Sequence, residues 1–144
     1  MSNKIELDLS RFEGMLQKLD KLGQNAQETA EKLLQKYARI VQNDVLIGLE
    51  AANLPARGKY STGTTREAVI SDFRVTWEGD TGSIPVGFDL SKPGAGGYLI
   101  TGTPKMQPDR VLNSMFKQKK YMAELEENMC RELAEILTDA WMRG

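Results

Sequence analysis

Glu124, Glu126, Glu127, Glu132 and Glu135 are the densest set of groups here that could move a proton or hold a cation. A catalytic carboxylate needs burial, or a like-charged neighbour in a cleft, to shift its pKa toward neutrality. The spacing of these five sets them off the apolar face of a helical pattern. There they are solvated or paired with cations at i, i+4, as Glu127 is with Arg131. Cys130 is the only thiol, and the nearby Glu126, Glu127 and Glu132 oppose the thiolate that redox or nucleophilic chemistry uses. A single cysteine excludes an internal disulfide and a multi-cysteine zinc site. The chain has no histidine, which removes the usual general base, the commonest metal ligand and every Ser-His or Cys-His pair.

Two glycine-rich stretches invite a test as phosphate cradles. Gly94-Ala95-Gly96-Gly97 lacks the strand-turn-helix setting of a dinucleotide fingerprint and is read as feeding a strand. Gly58-Lys59-Tyr60 has Asn53 where a phosphate loop needs its first glycine, and Tyr60 where it needs a Ser or Thr for magnesium. Both are expected to be mobile surface loops. Lys105, Arg110, Lys117, Lys119 and Lys120 form a basic cluster, and Arg57, Lys59 and Arg66 a weaker one. In a chain of 19 basic and 20 acidic residues, net charge −1, they do not amount to the large positive excess of a dedicated nucleic-acid binder. They are solvated faces, or contacts for passing DNA or an acidic partner.

These groups must be positioned by one domain, given 144 residues with 40% hydrophobic and 27% charged. Residues 10–54 read as helical. Ser10-Arg11-Phe12-Glu13 has capping-box form, and Phe12, Leu16 and Leu19 share a helix face. Gly23 breaks the pattern. Ala26, Ala30, Leu33, Tyr37, Ile40, Val41 and Leu49 then mark the inner face of a long helix, with Glu28, Glu31, Lys32, Gln35 and Arg39 on its wet side. Leu54-Pro55 stops it.

Residues 55–106 read as strand and loop. Alternation from Val69 to Trp77 predicts a strand with odd positions inward; 83–88 predicts a second, with Pro85 at an edge or bulge; and 98–103 a third. Short connections favour an antiparallel meander. Residues 107–143 return to helix, with Pro108 in a first turn. A short helix runs through Val111, Leu112, Met115 and Phe116, and a longer one carries Met122, Leu125, Met129, Leu133, Ile136, Ala140 and Trp141 inward. The expected fold is α+β: an N-terminal helix or helix pair, a small antiparallel sheet of three to four strands, and a C-terminal helix packed on the sheet. No apolar run reaches the ~18 residues of a membrane span, and the N-terminus has no run of signal-peptide length.

The order of these features resembles the minor tail-component, or tail-completion (neck), family of long-tailed double-stranded DNA phages. The matching segments are Leu54-Pro55, the passage Ser61-Thr62-Gly63-Thr64-Thr65-Arg66-Glu67-Ala68-Val69, Val86-Gly87-Phe88, and Thr101-Gly102-Thr103-Pro104-Lys105-Met106-Gln107-Pro108 with Val111-Leu112 after it. Thr101 stands where that family often has an acidic residue, and Pro108-Asp109-Arg110 where it usually has Pro-Phe-Leu.

The resemblance implies a structural subunit of the virion neck, assembled in the host cytoplasm, with neither enzyme activity nor cofactor, metal, membrane or small-molecule substrate. Its implied partners are copies of itself in a ring, head-completion (stopper or connector) proteins, and a tail terminator or the tail tube, with non-specific DNA in the lumen. The docking loops it implies carry Arg57, Lys59, Tyr60, Thr62, Gly63 and Arg66; then Pro93, Gly94, Gly96, Gly97 and Tyr98; then Gly102, Thr103, Lys105, Met106 and Pro108. Loops 55–66 and 89–97 are expected to be disordered alone and to order on docking. Two other readings stay open: a tail terminator capping the tube, and a small cytosolic binding or regulatory domain using a methionine-bearing helix face.

Overall fold

The computed structural model describes residues 4–52, 54–78, 81–89, 91–104 and 107–143. Strand β1 (Lys4–Asp8) opens the chain, and a single 3-10 turn (Ser10–Phe12) leads into helix α1 (Glu13–Lys21). Helix α2 (Ala26–Ala51) and the short α3 (Thr62–Glu67) precede a hairpin of β2 (Thr76–Glu78) and β3 (Thr81–Gly87). Helices α4 (Gly96–Thr101), α5 (Arg110–Lys117) and α6 (Lys119–Arg143) complete the chain. The fold is mixed helix and sheet with a small antiparallel sheet, strand order β1-β3-β2.

Helix α2 is the beam on which the rest is assembled. Asn25 caps it by accepting from the Glu28 amide at 3.0 Å, and Gly23, at φ +80°, turns the chain out of α1. Leu33, Leu34, Tyr37, Ala38, Val41, Val45 and Leu49 are all buried along α2. That stripe is wide enough to meet β3 on one side and α1 and α6 on another. Each buried Leu or Val there contributes about 1.5–3 kcal/mol. The Glu28–Lys32 pair (2.8 Å) on the wet side is exposed and screened by water, so packing decides where α2 sits.

Several expectations are corrected. Helix α1 starts at Glu13 with Phe12 in its cap position, and Ser10, expected at the cap, opens the 3-10 turn ahead of it. The strand β1 stands in the N-terminal stretch for which no element was expected; Leu7 is buried and sits opposite Ile84. Residues 98–103 are not a strand. Most of that segment is helix α4, because Leu99 and Ile100 must both turn to one core and Thr101 Oγ1 donates back to the Gly97 carbonyl at 2.9 Å.

The strand predicted over 69–77 pairs only at its two ends: Val69 bridges Phe88 antiparallel, and a ladder to β3 runs from Thr76. Phe73, Val75 and Trp77 still face inward more than their neighbours, and Gln35 Nε2 donates to the Phe73 carbonyl at 3.1 Å in place of a strand partner. Pro85 lies within β3, opposite Glu6, beyond the last β2 pair (Thr76↔Ser83), so that stretch lacks a β2 ladder partner.

Helix α6 packs chiefly against α5, α1 and α2, and it is α2 that covers the sheet. Ile40, expected inward, is 38% exposed, and Trp141, expected inward, is 70% exposed. Pro108 precedes the cap residue Asp109 and so lies outside the first turn of α5.

Candidate functional site

The loops that flank α3 and α4 come together at one end of the molecule. Gly58 takes φ +99°, its carbonyl accepts the Ser61 amide at 3.1 Å, and Thr64 Oγ1 donates to the same oxygen at 3.0 Å. Ser61 then caps α3, its hydroxyl accepting from the Thr64 amide at 3.1 Å. The segment read as a mobile polar loop is thus partly a capped helix. Its inner residue, Thr65, is fully buried, and Thr65 Oγ1 accepts the Ala95 amide at 2.9 Å. One hydroxyl braces the first loop to the second.

The second loop is shaped by close approach. A Cβ on Gly94 (φ +149°) would lie 3.0 Å from the Thr65 Cα, and one on Gly96 would lie 2.4 Å from the Phe88 ring. Asp89 opens this loop by accepting from the Ser91 amide and hydroxyl at 2.9 and 2.6 Å. The far end of α4 is pinned by α5: Asn113 Nδ2 donates to the Ile100 carbonyl at 2.7 Å and the Asp109 amide to that of Leu99 at 2.6 Å.

On this frame the rings of Tyr60 and Tyr98 meet edge to face at 5.6 Å, each close to half exposed, with the Lys59 ammonium 5.6 Å from the Tyr60 ring. Arg57, Lys59, Gly63 and Pro93 are exposed around them, while Thr62 and Gly97 are half-buried. Arg66 turns away to Glu50 at 3.4 Å, so it belongs to the α2 side. Gly102 (φ +75°) ends α4, and Thr103 and Pro108 are half-buried on the way to α5. Lys105 and Met106 lie outside the described residues.

The carboxylates do not converge. Glu127 pairs with Arg131 at 3.3 Å, and Glu132 hydrogen-bonds Lys36, whose ammonium pKa is raised by that bond. Glu132 keeps a buried, unpaired Oε2 beside Tyr37, whose phenol is raised chiefly by burial. Tyr121 donates to Asp44 at 2.7 Å, and burial, then that bond, pushes its phenol far above the usual range. Among the described residues no cluster of acidic, thiol or imidazole groups could hold a metal ion, and no helix is long and apolar enough to cross a membrane.

Arg110, Lys117, Lys119 and Lys120 are exposed around the α5–α6 junction, and Cys130 is exposed on α6. Met115 and Met129 are buried and Met15 and Met122 partly so, while Met142 is 79% exposed. No family, curated protein or solved structure matches this chain.

Sequence reasoning missed the buried Thr65 brace. Its signal was present in Ser61-x-x-Thr64, a cap pattern that makes the fourth residue after the cap, Thr65, part of a helix with an inner face.

Proposed function

We propose that this chain is a structural subunit of the neck of a long-tailed double-stranded DNA phage, joining the filled head to the tail by docking several neighbours at once. The observation that carries the reading is the braced end of the molecule. Thr65 ties the two loops of the neck-like motif order together, and the pair displays Tyr60, Tyr98 and Lys59 to solvent. Half-exposed aromatic rings held at fixed spacing beside a cation are effective anchors for a protein partner.

The sheet supplies a second contact. Beside Thr76 and Glu78, residues 71–75 run on as exposed and half-exposed chain without a ladder, and a neighbour's strand added there would carry the sheet to four strands. Rotation of such head-to-tail contacts closes a ring between connector and tube. The methionine face that a regulatory groove would use is largely core, which favours the neck reading over that alternative.

The decisive experiment is electron microscopy of particles made without this gene. Filled heads and finished tails lying apart are the expected result. Over-long tails would assign the chain to the tail terminator, and normal joined, infectious particles would refute a joining role altogether.

A further inference from the structure

We propose that the C-terminal ends of α6 and α1 form a self-complementary surface through which two copies of this chain pair about a twofold axis. Between these ends lies an open groove of about 480 Å³, floored by Leu22 and Leu137 and flanked by Lys18, Lys21 and Trp141. Helix α6 outruns the core here: of its last residues only Ala140 is buried, while Trp141 and Met142 are 70% and 79% exposed. A tryptophan left in water forfeits the large burial energy that its ring offers, so this face is under-used in the single copy.

Charge selects the occupant. Lys18 and Lys21 form no ion pair among the described residues, and neither does Asp139. Glu135, one turn before Asp139, acts on Lys36 only through space. At about 100° per residue, the sweep round α6 from the groove runs through Leu137, Trp141, Thr138 and Met142 and reaches Glu135 and Asp139 last. An apolar strip therefore has a basic flank on α1 and an acidic flank on α6. A twofold axis running along α6 sets the basic flank of each copy against the acidic flank of the other, twice, over a shared Trp141 centre. That reciprocity is what an isologous contact requires. The contact is separate from the head-to-tail ring and does not depend on the neck reading.

One exposed tryptophan with solvent-screened charge pairs at its flanks makes a weak pairing, with a dissociation constant on the order of 10–100 µM. Sedimentation equilibrium of the full chain, from about 5 to about 500 µM at low salt, spans that range. The expected result is a monomer–dimer equilibrium that weakens as salt rises. Trp141→Ala is expected to raise the dissociation constant at least about tenfold.

Lys18→Glu with Lys21→Glu, and Glu135→Lys with Asp139→Lys, are each expected to be monomeric. Their equimolar mixture regains dimer mass, because both flanks then match. All four charges are exposed, and unchanged thermal melting confirms that the variants fold. A wild-type chain monomeric throughout, a dimer indifferent to Trp141→Ala, a mixture that stays monomeric, or masses that grow past the dimer would each overturn the proposal.

Discussion

Thr65 shows how much one hydroxyl can decide. Its Oγ1 is the partner of the Ala95 amide in a fully buried setting, so Thr65→Val keeps the volume and strands that amide without an acceptor. A buried unpaired amide costs about 1–3 kcal/mol. Thr65→Val is therefore expected to lower stability by that amount in urea unfolding, while Thr65→Ser, which keeps the hydroxyl, loses much less. A Val variant as stable as the parent beside a destabilised Ser variant would mean the methyl group matters and the brace does not. The exposed members of the candidate site, Tyr60, Lys59 and Arg57, were legible as residues of a polar loop. Their grouping with Tyr98 was not, because it depends on a buried bond between segments 30 positions apart. Local pattern carries no information about such a partner.

At the level of elements, wide apolar stripes were readable, and caps and short segments were not. Helix α2 announces itself through Leu33, Val41 and Leu49, since a long period leaves little ambiguity. Tyr98-Leu99-Ile100-Thr101 has strand-like composition, yet it lies in a helix because both Leu99 and Ile100 are wanted in the same core and Asn113 holds the Ile100 carbonyl. In six residues tertiary contact outweighs propensity. The link between α4 and α5 is itself testable. Asp109 accepts the Leu112 amide at 2.9 Å as the α5 cap, while its backbone amide donates to Leu99. Asp109→Ala removes only the first bond, so a loss of about 1 kcal/mol is expected, and Asp109→Asn should retain most of it. In a urea titration this is a lower midpoint at unchanged slope; a changed slope would instead report loosening of the whole α4–α5 corner.

For the whole molecule, the arrangement that sequence alone did not reveal is the layering. The sheet rests on α2, and α6 rests on α1, α5 and α2, because α2 has a stripe broad enough for two clients and the sheet presents β3 to it. This changes what docking can do. Loops 55–66 and 89–97 were expected to be disordered until assembly, yet they meet through a core threonine and close on Phe88. The free subunit should then show two tiers of hydrogen exchange. The amides of Thr65, Ala95 and Leu99, all bonded within buried structure, are expected to exchange slowly and together with the core, since one brace serves all three. Amides of Arg57, Lys59 and Gly97, which carry no such bond and border the tyrosine pair, should exchange fast in the subunit and slow only in assembled particles. If Ala95 and Thr65 exchange as fast as Lys59, the loops order on docking and the interface must supply that entropy. If they are slow from the start, the docking face is pre-formed, and assembly needs only to bury Tyr60 and Tyr98.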